Sequence, residues 1–175
     1  MDCLEDDDSI DYALRIERRR SRRPTRRLRL VIAVQSRLVA EAFMFMLDSD
    51  PRVDAIGYSL DSWAALELVA AYEPDVVLVG EGLTGCDQVR FTELVHETFP
   101  DTLPILLRAT LVPHEVEAAY AAGAAECLPT SCSADELLHA IQAAERRRIA
   151  SARGRTAWAL DERRPYPPAR AHDRL

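Results

Sequence analysis

From Leu28 onward the chain alternates short apolar runs with longer amphipathic ones. L-R-L-V-I-A-V, Leu28 to Val34, is a nearly continuous apolar run of strand length. The next segment, Ser36 to Leu47, sets Leu38, Val39, Ala42, Phe43 and Met46 on one predicted helical face. After the turn D-S-D-P the pattern predicts a second strand, Val53 to Tyr58, and a second helix, Ser62 to Tyr72, with Trp63, Leu66, Val69 and Ala70 facing inward. Pro74 closes that helix. A third strand spans Asp75 to Val79, a third helix Gln88 to Phe99, and a fourth strand Pro104 to Leu107. Pro113, a residue suited to the first helical turn, opens a fourth helix, and a short fifth strand covers Ala124 to Leu128. Ser133 and Glu136 have the spacing of a capping box for a last helix bearing Leu137, Leu138, Ile141 and Ala144.

Five strand-helix units with apolar strands call for a parallel sheet covered by helices on both faces. The fold class expected is therefore α/β, a doubly wound five-stranded parallel sheet of the flavodoxin-like order 2-1-3-4-5. In such sheets ligands and chemistry sit at the carboxyl ends of the strands, where the strand order reverses between strands 1 and 3. The stretch D-V-V-L-V-G-E-G-L-T-G, Asp75 to Gly85, runs into that place and carries a glycine, Gly80, at the strand end.

Composition divides the 175 residues into three parts. Residues 1–27 read E-D-D-D and then E-R-R-R-S-R-R-P-T-R-R, with too little apolar matter to pack, apart from a short helix that Ile10 to Arg20 could form. Residues 149–175 end R-R-P-Y-P-P-A-R-A-H-D-R-L and are equally rich in Arg and Pro. Both are expected to be disordered arms around one domain at 28–148. Charge follows the same partition: residues 30–145 carry four Arg against nineteen acids, whereas residues 146–175 carry nine Arg against three. An acidic body thus lies between basic arms. All 22 cations are Arg, which points to a compositional bias and weakens Arg richness as a nucleic-acid signal. Cys3, Cys86, Cys127 and Cys132 lack the paired spacing of a zinc site and are too sparse for a disulfide scaffold, so reduced thiols in a cytoplasmic protein are expected. No apolar run is long enough for a membrane span, and no membrane partner is expected.

Three pieces of the chain resemble the receiver (CheY-like) domain of two-component response regulators over about Arg29 to Arg147. They are L-V-I-A-V-Q-S at the first strand, E-P-D-V-V-L-V-G-E-G-L-T-G-C-D at the third, and A-Y-A-A-G-A-A-E-C-L-P-T-S-C-S-A-D-E-L-L-H-A-I at the end. The last piece looks closest to the branch usually fused to a helix-turn-helix output domain. The tail lacks the length and apolar periodicity for such a module, so a complete transcription factor of that kind is not expected from this chain alone.

The resemblance implies five working positions in phosphorelay signalling. An acidic pair ending strand 1 holds Mg²⁺, an Asp ending strand 3 accepts the phosphoryl group, a Ser or Thr ends strand 4, and a Lys ends strand 5. Here the acidic pair falls on Val34 and Gln35, the acceptor on Gly80, the hydroxyl on Arg108 and the Lys on Thr130. Val34 offers Mg²⁺ no oxygen, Gln35 only a neutral carbonyl, and Gly80 nothing to phosphorylate. The resemblance therefore implies a degenerate site, with no metal, no cofactor and no catalytic residue. Glu81 could rescue the site, as the acceptor itself or as a permanent acidic mimic, only if the loop reorganises, because side chains alternate faces along a strand. Thr110 offers a hydroxyl with nothing to serve. Arg108 either pairs with Glu81, binds an anion, or is a plain surface cation. The aromatic switch position of the family falls on Cys127, read as a small core residue in preference to a reactive thiol.

Three functions compete. The first is a pseudo-receiver in signal transduction or transcriptional regulation. It would bind a protein partner, or a second copy, through the face of helix four, strand five and helix five, where His114, Tyr120, Glu126 and His139 are candidates against a reading as ordinary surface. The second is nucleic-acid association through the Arg-rich arms, opposed by the acidic body. Catalysis is third and least favoured. The loop Gln35 to Leu38 has no Gly-rich phosphate cradle, and His96, His114, His139 and His172 form no nucleophilic arrangement with the strand ends.

Overall fold

A computed structural model describes residues 27–159. The expected arms at 1–27 and 149–175, the helix at Ile10 to Arg20 and the nucleic-acid contacts through the arms lie largely or wholly outside the described residues.

The chain forms β1 (Leu28–Ala33), α1 (Arg37–Asp48), β2 (Val53–Ser59), α2 (Ser62–Tyr72), β3 (Val76–Val79), α3 (Gln88–Thr98), β4 (Leu103–Arg108), α4 (Pro113–Ala121), β5 (Glu126–Pro129) and α5 (Ala134–Ala159). The strands make one parallel sheet in the order β2-β1-β3-β4-β5, the expected doubly wound topology. All five strands begin and end within a residue or two of the apolar runs that predict them. α5 runs on to Ala159, so the boundary expected at 148 falls inside a helix. The Ala and Arg residues of that stretch are good helix formers and no proline interrupts it.

Each face of the sheet carries its own core. Leu30, Ile32, Val53, Leu78 and Ile105 pack with Ala40 and Leu47 of α1 and with Leu137, Ile141 and Ala144 of α5. Val31, Ala33, Val77, Val79 and Leu106 pack on the other face with Ala65, Val69, Phe91, Val95 and Ala119 from α2, α3 and α4. Alternate residues of each strand feed opposite cores, so unbroken apolar strands are required. Along β1 and β2 the register slips between Leu30 and Val31, which pair with Ala55 and Gly57 and leave Ile56 unmatched.

Two helix faces differ from the sequence expectation. In α1 the buried positions are Ala40 and Leu47, with Phe43, Met44 and Met46 half-buried. Leu38, Val39 and Ala42 point to solvent, Leu38 being 76% exposed. Nearly every residue from Leu38 to Leu47 is apolar, so periodicity does not select a side, and the angle at which the chain leaves β1 decides. In α2 the buried residues are Ser62, Ala65 and Val69, while Trp63 and Ala70 are exposed. Trp63 lies against the loop at Gly85 instead of entering the core, its Cδ1 3.0 Å from where a Cβ on that glycine would stand. The capping box of α5 forms as expected: Glu136 accepts from the Ser133 amide at 2.7 Å, and Ser133 Oγ accepts from the Glu136 amide at 3.2 Å.

Candidate functional site

The ends of β1, β3, β4 and β5 meet at the top of the sheet, and the five positions singled out in the sequence fall there. Gly80 follows β3, is buried, and donates its amide to the Ala33 carbonyl at 2.8 Å. A Cβ on Gly80 would stand 2.9 Å from Cγ1 of Val34, which is itself 4% exposed. The apolar side chain at one acidic position thus fills the space that a side chain at the acceptor position would need. Gln35 is exposed, and its Oε1 lies 2.5 Å from where a Cβ on Gly82 would stand. Gly82 has φ +73°, a left-handed conformation that glycine adopts without strain. Thr130 is exposed and donates its amide to the Arg108 carbonyl at 2.8 Å, which joins the ends of β4 and β5.

These residues do not fit Mg²⁺. The two positions that would supply carboxylates hold a valine and a neutral amide, and among the described residues no three His, Cys, Asp or Glu side chains group as a metal set.

Arg108 is the centre of the polar contacts, and its side chain is only 12% exposed. Nη2 donates to Glu115 Oε2 of α4 at 2.6 Å and lies 3.6 Å from Glu81 Oε1. Nη1 donates to Gln88 Oε1 of α3 at 3.0 Å. Gln88 is buried, and its Nε2 donates in turn to the carbonyls of Val79 and Leu107, the ends of β3 and β4. Glu81 Oε2 accepts from the Ala109 amide at 2.8 Å. Of the three readings of Arg108, the structure supports the pairing with Glu81, with Glu115 as the shorter contact. The plain surface cation is excluded by its burial. Glu115 and Gln88 were not singled out in the sequence; their places at the starts of α4 and α3, facing a strand-end Arg, were the only signal.

A cleft of about 630 Å³ opens beside this network, lined by Glu81, Cys86, Gln88, Arg108, His114 and Glu115 among others. On its far side the β3–α3 loop is stitched to the start of α2. Thr84 Oγ1 donates to Asp61 Oδ2 at 2.9 Å, the Ser62 amide to the Thr84 carbonyl at 2.9 Å, and the Cys86 amide to Ser62 Oγ at 2.9 Å. The amides of Ala64 and Trp63 at the helix start and the Thr84 hydroxyl hold the Asp61 carboxyl below its ordinary range.

The residues expected on a partner face are only partly brought together. Tyr120 Oη donates to Glu126 Oε1 at 2.9 Å, and Glu126 Oε2 accepts from Arg147 of α5 at 2.7 Å. This links α4, β5 and α5, with Arg147 as a member the sequence reading missed. His139 is exposed on α5, and His114 lines the cleft beside Arg108. Cys127, at the switch position, is buried, and burial pushes its thiol above the ordinary range. Thr110 is exposed beyond β4.

No family model matches the chain. The signal receiver domain of the response regulator NarL from Mycobacterium tuberculosis is 28% identical and superposes with a TM-score of 0.65 over 69% of this chain and 98% of that one. A LuxR-family DNA-binding response regulator from Staphylococcus aureus shares the fold at 16% identity, with a TM-score of 0.63 over 67% of this chain and 98% of that one. In sequence, 91 residues are 26% identical to protein-glutamate methylesterase/protein-glutamine glutaminase 4 of Anaeromyxobacter dehalogenans (strain 2CP-C). That match covers 52% of this chain, which spans about a quarter of the relative's length. Among the described residues no helix is long and apolar enough to cross a membrane. By topology and by the likeness to NarL, the described body of this chain is similar to the receiver domains of response regulators.

Proposed function

We propose that this receiver domain works in signal transduction without Asp phosphorylation, by contact with another protein, and has no catalytic activity of its own. The observation that carries the reading is the filled space at the head of β3: Gly80 has no carboxylate, and Val34 Cγ1 occupies the room one would need. Four further changes point the same way. Gln35, Arg108 and Thr130 replace the second acid, the hydroxyl and the Lys that the resemblance implies, and Cys127 replaces the aromatic reporter.

The contact surface proposed is the face of α4, β5 and α5, either toward another signalling protein or toward a second copy. Tyr120, Glu126 and Arg147 already form a connected polar patch there. A role in transcriptional regulation belongs to the same proposal through the likeness to NarL and to the LuxR-family regulator.

Incubation with acetyl phosphate and Mg²⁺, followed by intact mass measurement, tests the central statement. No phosphoryl adduct is expected; an acid-stable, base-labile acyl phosphate would overturn it. For the surface, the tagged protein is used to capture partners from lysate of its host with and without nuclease. A protein retained after nuclease and lost in Arg147→Ala supports the proposed face. Nucleic acid as the sole catch would favour the arms instead.

A further inference from the structure

We infer that Glu81 and Arg108 form a built-in latch that holds the segment between β4 and α4 in one position. It ties the loop after β3 to the end of β4, the two places where the resemblance puts the acceptor and the hydroxyl. The inference rests on the phosphorylation-independent reading above and says how such a domain keeps a defined partner face.

Residues 109–112 connect β4 to α4, and the latch grips both ends of this connection. At its start, the Ala109 amide donates to Glu81 Oε2 at 2.8 Å. Beyond its end, Glu115 in the first turn of α4 accepts from Arg108 Nη2 at 2.6 Å. Arg108 cannot swing away readily, because Gln88 Oε1 holds Nη1 at 3.0 Å while Gln88 Nε2 is fixed on two strand carbonyls. Glu81 is likewise placed by a loop tied on its other side through Thr84, Ser62 and Cys86. One guanidinium, 12% exposed, therefore joins the β3–α3 loop, the start of α3 and the start of α4 to the last residue of β4. A bond from a charged acceptor to an amide is among the stronger hydrogen bonds, and a guanidinium suits several planar acceptors at once. An exposed ion pair such as Arg90 with Glu93 has neither property.

Glu81 stands one residue past the acceptor position, and the alternation of strand side chains argues against its use there. The turn at Glu81 and Gly82 lifts this restriction, since Glu81 has already left β3. Its carboxylate reaches across to the β4 end without entering the space filled by Val34.

Amide hydrogen exchange resolved by residue tests the latch on the full chain. In Glu81→Ala the Ala109 amide is expected to exchange about tenfold faster or more, the loss of one charge-assisted hydrogen bond. Val116, at the start of α4, should accelerate with it. Glu115→Ala should loosen Val116 while leaving Ala109 near its original rate, and Glu93→Ala should move neither. Exchange at Ala109 and Val116 in Glu81→Ala within twofold of the unsubstituted protein would overturn the latch. If that result comes with no acetyl phosphate labelling, the latch fails alone. Labelling of the unsubstituted protein would overturn the reading it rests on, and the latch with it.

Discussion

A Gly80→Ala substitution adds a single methyl group 2.9 Å from Val34 Cγ1 and 3.4 Å from Val34 Cβ, where ordinary contact begins near the latter distance. Val34 cannot easily give way: it is β-branched, 4% exposed, and its amide donates to the Ser59 carbonyl at 3.1 Å. Overpacking of this kind costs about 1–3 kcal/mol. The lost freedom of the unfolded chain returns about 0.4–1 kcal/mol. The net expectation is a loss of roughly 0.5–2 kcal/mol. Val34→Ala alone removes two buried methyl groups and should cost about 2 kcal/mol. In the double variant the new methyl enters the space that Val34 left, so Gly80→Ala should become neutral or slightly stabilising. The coupling expected in the cycle is therefore about 1–2 kcal/mol. Urea unfolding followed by far-UV circular dichroism, with unchanged slope, measures all four corners. Additivity within about 0.5 kcal/mol would refute the claim that these two positions compete for one space.

Three other outcomes follow from the packing and charges. Arg148 is 18% exposed and pairs with Glu145 at 2.6 Å and Asp75 at 3.7 Å, side chains 10% and 6% exposed. Arg148→Ala should cost about 2–4 kcal/mol, somewhat under the range for a fully buried pair, and Arg90→Ala should leave the urea midpoint unchanged. The carboxyls of Asp50, Asp61 and Glu136 are held low, chiefly by the Arg52 side chain, the Ala64 amide and the Ser133 amide respectively. Their folded pKa values lie below the unfolded ones, so the unfolded chain binds more protons as pH falls. Stability should stay flat from pH 7 to 5 and drop below about 4, where a rise would contradict the assignment. Cys127 should resist iodoacetamide at pH 8 until unfolding, and peptide mapping should find the half-buried Cys86 labelled before it.

The fold was legible because the strands are short, largely apolar runs set off by turn signals, as at D-S-D-P before Val53 and Pro74 before Val76. The inward faces of α1 and α2 were less so. When Leu38 and Phe45 are as apolar as Ala40 and Leu47, the pattern holds no record of which side meets the sheet. The positions of the candidate site could be placed by their strand ends, but its contacts could not. Arg108, Gln88 and Glu115 lie in three segments, and nothing local links them. Arg148 and Asp75 are further apart still along the chain, and their pairing at the base of the sheet depends on where α5 crosses it.

The slipped register of β1 and β2 bears on how this molecule meets others. β2 is an edge strand, and its unmatched Ile56 turns into the core beneath α2 while Val53 and Ala55 serve the core beneath α1. A bulge of this type coils the strand and spoils the even row of amides and carbonyls that another chain would need for ladder pairing. At the opposite edge, β5 has four residues and ends in Pro129, which has no amide proton to donate. Both margins are thereby poor templates for strand addition. Self-association into extended sheets is disfavoured.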